Sequence, residues 1–261
     1  MNNLKEKLGF VWDVNFPNQL PVKSLAQVIF YFKKAMPQHI WDAAQLEGNP
    51  FTFPQVQTVL EGVSVGGHKI SDQQQVLNLA EASRYFVSLV SDGKFELSKE
   101  IFTHINALVA KDESLEWGVF RGEGKEKTYD AVVNLGENRV FRPIKTEDKA
   151  PALNHAFYYG IDAIKQIESI EERAAAMFLF GALQQFFFDG NKRTARFMMN
   201  GVLMTNGIEP ISVPASRAEE FNEKMVRFYQ SRNANEMMLF LMSCHPSHQI
   251  ECAAQSGFEP S

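Results

Sequence analysis

Apolar positions along this chain recur at helical spacing far more often than they alternate. Residues 22–36, VKSLAQVIFYFKKAM, form an amphipathic pattern that predicts a helix stopping before Pro37, since a residue preceding proline is pushed out of the helical region. Ser71-Asp72-Gln73-Gln74 reads as a capping box opening a helix to about Val90, and Ser169-Ile170-Glu171-Glu172 opens another that runs to Phe188. Ser216-Arg217-Ala218-Glu219 and Asn233-Ala234-Asn235-Glu236 predict two more helix starts near the C-terminus. The clear β signal is residues 128–144, TYDAVVNLGENRVFRPI, where two short β-rich runs flank a Gly-Glu-Asn turn. One hairpin among helices has no sheet to join, so the pattern predicts a mainly α fold. No fixed-period repeat or low-complexity linker interrupts it, and the polar tail from Pro246 onward is expected to be loose.

Composition and charge narrow the function classes. With 261 residues, 45% of them hydrophobic and 22% charged, the chain can bury a substantial core. A net charge of −5 provides no field to draw a polyanion, so a nucleic-acid partner is not expected and any basic patch serves a small anion. Cys244 and Cys252 are too few and too near the end for a disulfide framework, which points to a reducing interior. The first fifteen residues are broken by charges, and no stretch is long enough to span a bilayer. A cytoplasmic protein without a membrane partner is the expectation.

The candidate chemistry lies in residues 183–203, LQQFFFDGNKRTARFMMNGVL, where a greasy helix runs into a polar turn and a second helix begins at about Asn191 or Lys192. The first turn of that helix carries Lys192, Arg193 and Arg196. Cations at a helix N-terminus oppose the macrodipole beside backbone N–H groups that lack internal partners, an arrangement that asks for an anion. A phosphate would satisfy both. The backbone around Gly190 to Arg193 can form an anion nest, and Asn191 can hydrogen-bond a phosphate oxygen without adding charge. Arg193 and Arg196, three apart, share a face and present planar forks suited to phosphate oxygens. Asp189 is a hard oxygen ligand of the kind Mg²⁺ takes beside phosphates, and it could equally cap the following helix.

The stretch FFFDGNKRTAR resembles the signature loop of Fic-domain proteins, His-Pro-Phe-x-Asp-Gly-Asn-Gly/Lys-Arg-x-x-Arg, with Phe187, Asp189, Gly190, Asn191, Lys192, Arg193 and Arg196 in register. Upstream, residues 42–56, DAAQLEGNPFTFPQV, are similar to the inhibitory helix of the subclass whose regulator precedes its active site. The resemblance implies a helical bundle with a small β-hairpin flap. It divides the chain into an N-terminal helical region at 1–95 with the inhibitory helix at about 38–49, a core at 96–210 with the flap at 128–144 and the signature loop at 185–196, and C-terminal helices with a tail at 211–261. It also implies AMP transfer from ATP, with Mg²⁺ on Asp189, to a hydroxyl of a protein target docked on the flap. Lys192 and Gly190 would help hold the nucleotide, Arg193 and Arg196 its β and γ groups, and Glu47 would pair with Arg196 and block the γ-phosphate.

The chain departs from that pattern at three positions. Gln185 and Phe186 stand where the family has its catalytic His and the Pro after it, and Ala43 stands where a Ser or Thr anchors the inhibitory helix. A glutamine amide can orient a hydroxyl but cannot take its proton, and general-base catalysis is worth roughly 10²–10⁴-fold. A natural pseudoenzyme, an introduced substitution and chemistry needing no base here all fit. A regulatory ATP-binding module is the alternative function. A phosphate-transferring relative of the death-on-curing toxins is disfavoured by Gly190. His155 follows the flap and is a candidate substitute base. Cys244, His245, His248 and Cys252 match no common zinc spacing.

Overall fold

The computed structural model describes residues 2–14, 16 and 19–248. In chain order they form helices α1 (Asn2–Leu8), α2 (Leu25–Gln45), α3 (Phe53–Leu60), α4 (Ile70–Ser91) and α5 (Lys99–Val109). The strands β1 (Val133–Asn134) and β2 (Val140–Phe141) follow, then α6 (Pro151–Lys165), α7 (Ile170–Gln184), α8 (Asn191–Thr205), a 3₁₀ turn at Ala215–Arg217, α9 (Ala218–Ser231) and α10 (Asn235–Ser243). The fold is mainly α with one hairpin, as the pattern predicted. The rest of the tail, including Cys252, lies outside the described residues, and no described helix is long and apolar enough to cross a membrane.

α7 and α8 are the closest-packed pair and form the centre of the bundle. α7 is buried almost all round from Ala174 to Leu183, so it shows no polar face. Gly181 lets α8 approach, because a Cβ there would lie 2.8 Å from the Ala195 Cβ. α2 and α4 pack together on the flank of α8, and α5 closes its other side.

Local rules failed where burial outweighed them. α2 continues through Pro37 because Val28 and Phe32 before it and Ile40 and Ala44 after it are all buried at i, i+4 spacing, so packing on both sides outweighs one lost hydrogen bond. α4 starts at Ile70, one residue before the expected cap, because the Asp72 carboxylate accepts from the Lys69 N–H at 3.2 Å. α7 does begin at the Ser169 cap, whose hydroxyl accepts from the Glu172 N–H at 3.1 Å, but it ends at Gln184 instead of Phe188. α9 opens from the 3₁₀ turn without a Ser216 cap, and α10 begins at Asn235, whose N–H donates to Asn233 Oδ1 at 2.9 Å.

The hairpin is shorter than its sequence signal. Only Val133↔Phe141 and Asn134↔Val140 pair, antiparallel. Glu137 and Asn138, at φ 50° and 60°, make the tight turn between them, and both conformations are of the kind that fits the twist of a hairpin. The flanking parts of 128–144 are irregular and are tied down by side chains.

Candidate active site

The signature loop begins where α7 gives out. Gln185 adopts φ 51°, a left-handed conformation uncommon for a non-glycine residue, and it is held from outside the helix. Arg121 Nε donates to the Gln185 carbonyl at 2.7 Å, and the Arg121 N–H donates to the Phe186 carbonyl at 2.9 Å. Phe186 and Phe187 then enter the core, with Phe186 stacked on Phe120 at 4.9 Å between ring centroids. The phenylalanine run is therefore a buried turn and not a last turn of helix.

Asn191 closes that turn. Its Oδ1 accepts from the Phe187 N–H at 2.9 Å, and its Nδ2 donates to the Phe187 carbonyl at 2.8 Å and to Gln185 Oε1 at 3.1 Å. Both amide hydrogens are engaged inside the loop, so in this structure Asn191 shapes the turn itself. Gly190, at φ 73°, faces α5 so closely that a Cβ would lie 2.9 Å from the Ala110 Cβ. Asn106 of α5 fixes the approach by donating to the Asp189 carbonyl at 3.0 Å.

The cations at the start of α8 find their anions within the protein. Arg196 Nη2 lies 3.4 Å from Glu47 Oε1, and Lys192 Nζ lies 3.7 Å from Glu47 Oε2. Arg193 Nη1 donates to Glu113 Oε2 at 2.7 Å and to the Val109 carbonyl at 2.9 Å, while its Nη2 is 3.4 Å from Asp189 Oδ1. Burial works to raise the Glu47 carboxyl, but Lys192, Arg196 and Arg193 outweigh it and hold Glu47 below the usual carboxylate range. Burial also lowers the Arg196 guanidinium, and Arg193 beside it adds to that, against Glu47 and Asp42. Arg193 is buried too, yet Glu47, Glu113 and Asp189 together leave it raised.

A cleft of about 420 Å³ opens onto this turn. Gln185, Asp189, Gly190 and Lys192 form its floor, Val132 to Leu135 of the hairpin form one wall, and Asn222, Met225, Val226 and Tyr229 of α9 form the other. The Gln185 amide is held in the floor, its Nε2 donating to the Ala182 carbonyl at 2.6 Å. Tyr229 donates to the same carbonyl at 3.0 Å, and burial raises its phenol far from neutral pH. Asp189 keeps half of its side chain exposed, and among the described residues its partners are the long Arg193 contact and its own loop, so its lone pairs fit a divalent ion.

His155 is not brought to the cleft. It is exposed on α6, stacked on Tyr159 with ring centroids 5.4 Å apart. Four positioning residues had no signal of their own in the sequence. Arg121 is fully buried and also donates to Thr146 Oγ1 and the Ile144 carbonyl, both at 2.7 Å, which ties the signature loop to the base of the flap. Burial lowers its guanidinium to about 10, against the field of Asp130. Asn106 and Glu113 brace α8 from behind. Asp42 anchors α2 in place of the missing hydroxyl at Ala43, accepting from Ser212 Oγ and the Ala215 N–H at 3.0 Å each.

Residues 96–203 match the Fic/DOC family. Two protein adenylyltransferases named Fic, from Aedes aegypti and Drosophila ananassae, are each 26% identical, over 238 and 244 residues. These matches span 85% and 86% of this chain but 45% and 46% of the relatives, so the chain covers less than half their length. Among solved structures, Fic-1 (aa134–508) from C. elegans superposes over 98% of this chain and 71% of its own, with a TM-score of 0.68 at 18% identity. A Fic domain containing signaling protein from Bacteroides thetaiotaomicron does so over 100% and 97%, with a TM-score of 0.66 at 19% identity. Signature loop, hairpin and bundle thus come together in a chain that carries, in residues 96–203, a domain of the Fic/DOC family.

Proposed function

We propose that the cleft binds Mg²⁺ and ATP and transfers AMP to a hydroxyl of a protein target docked along the flap, that Glu47 restrains the transfer, and that Gln185 slows it. The observation that carries this reading is the start of α8, where Lys192 and Arg193 converge with Asp189 and Glu47 on a cleft walled by the hairpin and α9, with Arg196 joined to it through Glu47 at 3.4 Å. The apolar part of the α9 wall, Met225 and Val226, suits a base, and the cationic floor suits the phosphates. Exposed Val132, Val140 and Tyr129 give the flap an apolar rim for a target segment.

In the transfer, the target hydroxyl oxygen attacks the α-phosphorus, the bond from that phosphorus to the oxygen bridging toward β breaks, and pyrophosphate leaves. Mg²⁺ on Asp189 would offset phosphate charge. Arg193 and, once released, Arg196 orient the β and γ groups, and alignment carries most of such a transfer. Gln185 Oε1 already accepts from Asn191 and has one lone pair left to orient the hydroxyl. The hydroxyl proton goes to water, because no base stands at that position. Glu47 competes with the γ-phosphate for Arg196 through the same charge-assisted geometry.

The locked Gln185 amide favours a second reading, a nucleotide-binding regulator without turnover. The two separate by the label that reaches protein when the chain is incubated with cell lysate and ATP labelled at the α or the γ phosphate. Transfer of the α label alone supports AMP transfer and is expected to rise in Gln185→His. Transfer of the γ label would replace AMP by phosphate. No label from either form, with ATP still binding, would leave the regulator.

A further inference from the structure

Arg193 is held from behind by a chain of side chains that does not touch the cleft. Glu113, just after α5 and following Asp112 in a left-handed conformation, accepts from Arg193 Nη1 at 2.7 Å, from Gln75 Nε2 at 3.1 Å and from Asn78 Nδ2 at 3.2 Å. Gln75 Oε1 accepts from Asn49 Nδ2 at 3.0 Å, and Asn49 follows Glu47 and Gly48 directly. Each amide has one workable orientation. Glu113 can only accept, so Gln75 must turn its nitrogen to it and its oxygen to Asn49. Asn49 in turn needs its oxygen for the Phe51 N–H, at 3.1 Å, and its nitrogen for the Asp72 carbonyl, at 2.9 Å. The chain runs without a gap from the inhibitory segment, through α4, to the first signature arginine.

We propose that Glu113 is a positioning residue for the phosphate-binding Arg193, and that the Gln75–Asn49 link makes this positioning depend on the segment that carries Glu47. The inference rests on the phosphate-site reading of the cleft for its functional meaning. Two contacts then join that segment to α8, one acting on each arginine. Glu47 reaches Arg196 from the cleft side at 3.4 Å, and Asn49 reaches Arg193 from the far side through two bridging groups. Glu47 withholds one arginine while Asn49 keeps the other in place, so a segment that releases Arg196 need not disturb Arg193.

The test follows the Arg193 guanidinium in the full chain labelled with ¹⁵N-arginine, its resonance assigned by loss in Arg193→Lys. Arg193 Nε is buried without a hydrogen-bond partner among the described residues, which protects its proton from exchange. Rotation of the guanidinium is expected to speed up about tenfold in Glu113→Gln, the scale of one hydrogen bond to a charged group, and about threefold in Gln75→Met, which leaves the Arg193–Glu113 contact untouched. In the Glu47→Gly background, Gln75→Met is expected to weaken Mg·ATP several-fold and AMP not at all, since AMP lacks the groups Arg193 holds. Unchanged rotation in Gln75→Met would overturn the link, as would ATP and AMP weakening together. If Glu113→Gln does not fold, Glu113→Asp, which shortens the carboxylate's reach, takes its place with the same expectation. Should Glu47→Gly bind no nucleotide, the proposed function falls, while the rotation measurement still decides this inference.

Discussion

Arg193 and Arg196 stand one turn apart on α8 and live in different surroundings. Arg193 is 3% exposed, sits 2.7 Å from Glu113 and also bonds the Val109 carbonyl. Arg196 is almost as buried, yet among the described residues its one ion-pair partner is Glu47 at 3.4 Å, shared with Lys192, and its Nη1 has no hydrogen-bond partner. Charge-assisted contacts of good geometry run near 2.7–2.9 Å, so the first arginine is firmly built in and the second is loosely held. The difference teaches how one short motif can be rigid and regulated together. Under the proposed function, a phosphate that displaced Glu47 would exchange one anion for another at Arg196 and leave Arg193 and the loop where they were.

The largest expected effect comes from removing the loose partner and restoring the base together. Glu47→Gly with Gln185→His should raise AMP transfer over the unaltered chain by roughly 10²–10⁴-fold, the worth of a general base. Glu113→Ala in place of Glu47→Gly in the same pair should lower transfer relative to Gln185→His alone. Label transfer from α-labelled ATP measures both. If the two carboxylate changes gave the same result, the two arginines would not differ in role.

Stability should divide the same way. Glu113→Ala leaves a buried guanidinium short of its anion and is expected to cost about 3 kcal/mol. Glu47→Gly should cost less than Glu113→Ala, because the Glu47–Arg196 contact is long at 3.4 Å while the Glu113–Arg193 contact is 2.7 Å. Residue 47 lies past the end of α2, next to Gly48 at φ 79°, so glycine breaks no helix interior there. Denaturant midpoints of the two variants would show the gap, and equal midpoints would remove it. Calorimetric titration of Glu47→Gly with Mg·ATP should show about fivefold tighter binding or more, a usual size for coupling between sites.

The sequence made one side of this comparison legible and hid the other. Asp189 to Arg196 form a contiguous run of chemically specific types, and a polar, cationic turn between two apolar helices is improbable without a reason. Glu47 could be read only through family resemblance, since on its own it is a charged residue at a helix end. Glu113, Asn106, Arg121 and Asp42 act on partners far away in sequence, and a single glutamate after a helix carries no mark of the arginine it will meet. The boundary errors have one physical source. Local propensity and hydrophobicity end a helix before Pro37 and carry one through the phenylalanine run, but burial stabilises a helix through Pro37 and an irregular turn at Phe186 alike.

The smallest expected effect is an absence of pH dependence, and it tests the electrostatic half of the comparison. The folded-state pKa of Glu47 is depressed below its ordinary 4.5 by Lys192, Arg196 and Arg193 acting against burial. A group with a depressed folded pKa contributes stability that is fully present above its unfolded pKa and is lost as pH falls through the folded one. Glu47 therefore stays ionised from pH 5.5 to 8, and its hold on Arg196 should not change across that range. The ratio of ATP affinities between Glu47→Gly and the unaltered chain is expected to be flat there, and to shrink only in acid below the ordinary carboxylate range. Nucleotide ionisation and Mg²⁺ binding change with pH in both proteins and cancel in the ratio. A ratio that fell between pH 8 and 5.5 would mean that Glu47 takes up a proton in that range, and the loose contact at 3.4 Å would then be too weak to hold its charge.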